Sequence, residues 1–315
     1  MEVVDIIKTI LKIIFIILGI VVCSLNIIIL TLYIYYKSIK KDVPVTESTT
    51  WMTSSVNRNI IFSKLNIPGS HNALTYNWCD TFNPYQIISS WWAQNQKLSI
   101  YNQLMSGCRY FDIRIYWHNK KKNWYGLHGN YINYNVTYEE ALKDLNRFCK
   151  TYPGEVVVWK LNIQKSGKQF PTELHRMYLD SMLIPNIPNT VDNTSLVKMK
   201  GFNQTIDELN RKGQVILISH DSDWSDFVDD PYTEEKGSLK TPEDGIRILS
   251  DIYSKQPYRR EILPILQWIT VYDKKQPSSI IFPVIYHANQ INKAFDGDGW
   301  KLPPSKVGDG RYGVI

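Results

Sequence analysis

Asn66-Ile67-Pro68-Gly69-Ser70-His71-Asn72-Ala73, read with Gly107-Cys108-Arg109-Tyr110-Phe111-Asp112-Ile113-Arg114 and Leu127-His128-Gly129, decides the reading of this chain. Together these stretches supply two histidines, an aspartate and an arginine. Each stands where a hydrophobic β-run stops, or where alternation along the run turns a side chain towards a mouth. Two imidazoles can divide general-base and general-acid work near neutral pH. An arginine beside them offers a planar, permanently charged fork for a phosphate. Asp112 and Arg114 are two apart on a strand and share a face, while Phe111, Ile113 and Ile115 take the other. Opposite charges on an inner face are costly unless paired or met by a ligand.

Outward from these stretches, short β-branched runs alternate with amphipathic ones, the pattern of a parallel α/β fold. Strands are expected at Phe62 to Ile67, Cys108 to Ile115, Trp124 to Leu127, Val156 to Leu161, Val215 to Ser219 and Ile265 to Val271, with another at Tyr312 to Ile315. Helices are expected at Ile100 to Met105, Tyr138 to Thr151, Pro171 to Leu183, Thr205 to Arg211 and Pro242 to Lys255, Gly213 being a stop signal. This alternation over residues 61–315 matches a TIM-type (β/α) barrel, possible distortion or incompleteness included, whose sites gather at the carboxyl ends of strands. His71, His128, Asn162 and His220 obey that rule in outline.

The three quoted segments, in this order, resemble the X domain of the phosphatidylinositol-specific phospholipase C superfamily. The likeness covers residues 60 to 165 and continues more weakly to about 220, with Tyr152-Pro153-Gly154-Glu155-Val156-Val157-Val158 similar to the family's helix-to-strand junction. The resemblance implies a phosphoric diester hydrolase that cleaves phosphatidylinositol-type lipids to diacylglycerol and inositol cyclic phosphate. It implies that His71 deprotonates the inositol 2-hydroxyl and His128 protonates the leaving oxygen. Arg114 would stabilise the phosphate, with Asp112 positioning the arginine or the nucleophile side. Asn72, Lys160, Asn162 and His220 are candidates for the substrate's hydroxyls or phosphate. Many bacterial relatives carry aspartate at the place of Asn72, supporting the acid histidine, so Asn72 implies weaker support for His128. Calcium-dependent relatives carry asparagine there, with acidic residues at both positions matching Asp112 and Arg114. Arg114 would repel a cation, and one amide with one carboxylate is a thin ligand set. No metal and no cofactor is therefore expected.

Ile13 to Tyr36 runs 24 residues without a charge, longer than a bilayer core requires. Lysines flank it, and Tyr33, Tyr35 and Tyr36 suit an interface. Residues 1–37 are read as a single-pass membrane anchor rather than a cleaved signal, and 38–60, with Pro44 and a Ser/Thr cluster, as a tether. Lys37, Lys40 and Lys41 against Lys8 and Lys12 lean the domain towards the cytosol without fixing the side. The net charge of +6 suits an anionic lipid surface, and no basic run interleaved with aromatics points to nucleic acid. Cys79, Cys108 and Cys149 form neither a disulfide framework nor a zinc spacing. Buried free thiols are the expectation for the last two.

The expected partner is thus a membrane phospholipid of the phosphatidylinositol class. Two rival readings stand beside the enzyme: a catalytically weak or inactive membrane protein that binds phosphoinositide head groups or a protein partner, and a glycerophosphodiesterase on the same fold. The last needs a cluster of acidic metal ligands that the matching positions lack.

Overall fold

The computed structural model describes residues 3–38, 47–65, 67–77, 89, 93–129, 132–164 and 204–219. An isolated helix, α1 (Val3–Ser38), comes first, with its described side chains exposed or half-buried. A 3-10 turn (Glu47–Thr50) leads into α2 (Trp51–Ser54). Then follow β1 (Gly69–Ser70), α3 (Ile100–Met105), β2 (Tyr110–His118), β3 (Asn123–His128), β4 (Ile132–Thr137), α4 (Tyr138–Thr151), β5 (Val157–Ile163), α5 (Ile206–Lys212) and β6 (Val215–Ser219).

The sheet order is β4-β3-β2-β5-β6, with β1 also on β2. β1, β5 and β6 run parallel to their partners, while β2-β3-β4 is an antiparallel meander, so the sheet is mixed rather than purely parallel. One edge of β2 is divided. Tyr110 and Phe111 pair with β1, and Ile115 to His118 pair with β3. Between those ladders lies 112–114, where the Asp112 carbonyl accepts from the Ala73 amide at 2.9 Å. The first expected strand, Phe62 to Ile67, is not formed: Phe62–Lys64 winds as a 3-10 turn, and β1 comes after it, at Gly69–Ser70. Strand β4 carries polar Asn133 and Asn135 and escaped the pattern search. The expected elements at 171–183, 242–255, 265–271 and 312–315 lie outside the described residues.

Helices begin where the sequence offers caps. Thr137 with Glu140, and Thr205 with Glu208, form reciprocal capping boxes, and Ser99 caps α3. The outer face of β2 and β5 (Phe111, Ile113, Ile115, Val157, Trp159, Leu161) is fully buried against Leu142, Leu145 and Phe148 of α4. Each such side chain contributes about 1.5–3 kcal/mol by leaving water. The inner face changes character along its length. Near the strand starts, Tyr110, Val158 and Ile216 pack with Met52, Phe62, Leu65 and Ile67 into an apolar floor. One step up, Asp112 stands opposite Lys160, and then Arg114 opposite Asn162.

Residues 47–60, given to the tether on sequence, are folded onto this floor. Arg109 is fully buried. It donates through Nε and NH2 to Glu155 Oε2 at 2.9 and 2.7 Å, and through NH1 to the Leu104 and Cys108 carbonyls. Its NH2 also reaches the Thr49 carbonyl. Glu155 Oε1 in turn accepts from the Thr53 amide and hydroxyl. Thr49 Oγ1 donates to the Met105 carbonyl and Trp51 Nε1 to that of Gly107. A Ser/Thr cluster without periodicity is held by these polar contacts. Burial raises the thiols of Cys108 and Cys149 to about 11 and about 12, against a smaller lowering by Arg109. Both are unreactive free cysteines at neutral pH.

Removing Glu155 while Arg109 stays buried leaves an uncompensated charge. Glu155→Ala should cost about 3–5 kcal/mol, read as a lowered denaturation midpoint of the detergent-solubilised full chain by tryptophan fluorescence. An unchanged midpoint would show that the pair is dispensable.

Candidate active site

His71 enters the site from a turn that follows β1. Asn72, the next residue, adopts φ 48°, a left-handed conformation that asparagine tolerates better than most side chains. The turn is braced from beneath. Gln103 accepts from the Ser70 hydroxyl at 2.6 Å and donates to the Ala73 carbonyl at 3.0 Å. Gln96 Nε2 donates to the His71 carbonyl at 2.9 Å. Gly126 of β3 passes so close that a Cβ there would come within 2.7 Å of Leu74 Cβ.

Asp112 is the hub. His71 Nδ1 lies 3.0 Å from Asp112 Oδ2. The same oxygen accepts from Arg114 Nε at 3.0 Å, from Arg114 NH2 at 2.9 Å and from the Asn72 amide at 3.3 Å. Burial opposes ionisation of this carboxyl. The His71 hydrogen bond and the Arg114 charge outweigh it and hold the group well below the usual carboxylate range. An ionised Asp112 makes Nδ1 the protonated nitrogen of a neutral His71, which leaves the Nε2 lone pair free to accept. Asn72 Nδ2 sits on that nitrogen at 3.0 Å.

His128 closes β3, and Gly129 after it takes φ 60°, the left-handed exit glycine permits. His128 Nδ1 lies 2.6 Å from the Ala93 carbonyl, which turns Nε2 into the acceptor of the neutral ring. Asn72 contacts His71 and Asn95 rather than His128, so the support expected of a residue at that place comes from a backbone oxygen instead. Burial lowers the His128 pKa to about 4. The Ala93 bond and Asp112 act the other way, while His71, whenever it is protonated, and the Arg114 charge add to the lowering.

The sequence-predicted residues His71, Asn72, Asp112 and Arg114 are brought into direct contact, and His128 is electrostatically coupled to three of them. Lys160 and Asn162 are cross-strand neighbours of Asp112 and Arg114, Lys160 being buried. His220 lies outside the described residues. Ala93, Asn95, Gln96, Gln103 and Gly126 were not found on sequence. Of these, only a glycine inside the aromatic run Trp124-Tyr125-Gly126 carried a readable signal, that of close backbone approach. Among the described residues, no three His, Cys, Asp or Glu side chains converge as metal ligands. The Asp112 carboxylate is already met by the Arg114 guanidinium. Asn72 Oδ1 and Asp112 Oδ1 are buried with no hydrogen-bond partner among the described residues, two acceptors that a hydroxylated ligand would satisfy.

Residues 65–206 match the family model "Phosphatidylinositol-specific phospholipase C, X domain". Over this segment, somewhat less than half of the chain, the sequence is similar to the PI-PLC X domain. A 1-phosphatidylinositol phosphodiesterase of Listeria monocytogenes is 31% identical over 127 residues, 39% of this chain and 37% of that protein. Its Staphylococcus aureus namesake is 24% identical over 200 residues, 62% of this chain and 56% of that one. The chain thus spans about a third to a half of these curated relatives in the matched segments. The solved phosphatidylinositol-specific phospholipase C of Listeria monocytogenes superposes with a TM-score of 0.56 at 18% identity, covering 79% of this chain and 86% of that one. The PI-PLC X-domain fold is therefore shared.

In the free protein the His128 ring resonance should titrate near pH 4, well below an ordinary imidazole, when followed by NMR in detergent. Because the unfolded chain takes up this proton first, His128 subtracts stability as pH falls from about 6.5 to about 4. His128→Gln should flatten that part of the stability profile. A titration near 6.5 would contradict the burial argument.

Proposed function

We propose that this chain is a membrane-anchored phosphodiesterase of the phosphatidylinositol phospholipase C type, built on a closed (β/α) barrel and working without a metal. The reading rests on one observation above the others: His71 and Arg114 share a single buried oxygen of Asp112. That oxygen fixes the tautomer of a base and the direction of a phosphate-binding fork together.

In this mechanism His71 Nε2 takes the proton from the inositol 2-hydroxyl, displacing the Asn72 amide. The 2-oxygen attacks phosphorus in line, the bond to the glycerol oxygen breaks, and His128 Nε2 delivers a proton to that oxygen. Diacylglycerol and a 1,2-cyclic phosphate result, and water opens the ring by the reverse use of the two imidazoles. Using a hydroxyl of the substrate avoids the entropic cost of bringing in a second reactant. Arg114 donates charge-assisted bonds to the non-bridging oxygens as negative charge builds there. His128, neutral in the free protein, takes a proton from solvent on Nε2 as the bound phosphate raises its pKa, and this imidazolium is the acid that returns to the neutral ring when it gives the proton up. The Asn72 amide can present Nδ2–H to the neutral base or, rotated, Oδ1 to the protonated one. Asn72 Oδ1 and Asp112 Oδ1 are places for inositol hydroxyls, with Lys160, Asn162 and His220 as further contacts.

The contact of Asn72 on His71 Nε2 also favours the rival reading, a head-group binder with little turnover, since it covers the lone pair a base needs. Activity separates the two. The full chain in phosphatidylinositol–detergent micelles should turn over in the presence of EDTA. His71→Ala and His128→Ala should each lose about 10²–10⁴-fold, and an inositol phosphodiester with a nitrophenol leaving group should rescue only His128→Ala. Arg114→Ala should lose about 10²–10³-fold. Loss of activity with chelator would overturn the arginine mechanism. Head-group binding without turnover would establish the silent reading.

A further inference from the structure

The polar clasp around Arg109 and Glu155 fixes where the chain from the apolar helix enters the domain. Arg109 directly precedes β2, and Glu155 lies two residues before β5. Thr49, Trp51 and Thr53 bind to these residues or to the carbonyls of Met105 and Gly107, before β2. Entry is therefore at the amino ends of the parallel strands, under the apolar floor of Tyr110, Val158, Ile216, Phe62 and Ile67. His71 instead follows β1, and Asp112, Arg114 and His128 lie further along the strands, above that floor. Anchor attachment thus lies below the amino ends of β2 and β5, whereas the reactive groups lie above the floor, past the end of β1 and level with the carboxyl half of β5.

We propose that the site faces away from the bilayer holding its own anchor, so that its substrate is a phosphoinositide lipid presented by a second, apposed membrane. This rests on the enzymatic and anchor readings above. The magnitudes decide it. Nine Cα–Cα steps join Ser38 to Glu47 and span at most about 32 Å. The described residues from Glu47 onward alone, about 117 in number, make at ordinary globular density a body about 35 Å across, about 54 Å around half its circumference. Turning the mouth onto the anchor's own membrane would need the linking chain to cover about that path. It falls short by about 20 Å, unless Thr49 and Thr53 are pulled off the buried ion pair.

The test uses the full chain in proteoliposomes that resist alkaline extraction. A fluorophore is attached through a genetically encoded azide at Lys120, on the β2–β3 turn, or at Ser106, beside the clasp; both are exposed. Energy transfer to an acceptor lipid in the same bilayer should be at least two-fold greater from 106 than from 120. When phosphatidylinositol is present only in the protein's own vesicles, turnover should fall in proportion to dilution; added phosphatidylinositol vesicles should restore it. Thirty Gly/Ser residues inserted after Val43 should make cleavage independent of dilution. Equal or greater transfer from 120, or dilution-independent cleavage by the unaltered chain, would overturn the proposal, as would release by alkali, which removes the anchor. Micelle turnover reads the enzymatic proposal separately: if it is absent, that proposal fails while the two fluorophores still decide which way the mouth faces.

Discussion

One oxygen of Asp112 receives the His71 imidazole, both arms of the Arg114 fork and the Asn72 amide. A buried carboxylate is tolerated only when its charge is met by donors, and here four donor groups meet it on one side. The consequence is geometric as well as energetic. An imidazole held through one ring nitrogen and a guanidinium held along one edge are set side by side. Positioning of this kind suits phosphoryl transfer, where charge stabilisation and alignment supply most of the rate.

That hub exists because the inner face of the sheet changes from apolar to polar within one pair of residues. Tyr110 and Val158 close the floor, and Asp112 and Lys160 follow directly above. The split edge of β2, paired first with β1 and then with β3, leaves 112–114 to be met by the His71 turn rather than by a continuous ladder. Below the floor, the Arg109–Glu155 pair draws in the segment that follows the apolar helix. The same strand thus carries a structural arginine at its foot and a candidate phosphate-binding arginine five residues later, and burial separates their roles. Arg109 is fully enclosed, while Arg114 keeps part of its side chain exposed.

Period-two alternation was enough to place Asp112 and Arg114 on one face; that Lys160 and Asn162 stand beside them is seen only in the β2–β5 ladder. Amphipathic spacing likewise made α4 and α5 legible, with Gly213 marking the end of α5. The antiparallel meander was not, because Asn133 and Asn135 interrupt the apolar pattern of β4 and its register shifts against β3. The role of Arg109 was hidden because its partner, Glu155, is 46 residues away. The clasp at 47–54 was read as tether because side-chain bonds to backbone carbonyls leave no periodic trace. The acceptor for His128 was unreadable for a simpler reason: it is the carbonyl of Ala93, and a backbone oxygen has no letter in a sequence.

Phosphorus-31 NMR of the first product tests the central claim, that the two imidazoles and Arg114 carry out attack by the substrate's own hydroxyl. The full chain would be mixed with phosphatidylinositol micelles in EDTA and ¹⁸O-enriched water. The account predicts that a five-membered cyclic phosphodiester free of solvent oxygen accumulates first, and that a phosphomonoester carrying ¹⁸O follows. A monoester labelled from the outset, with no cyclic ester at any time, would contradict it by showing that water, not the inositol hydroxyl, attacks phosphorus.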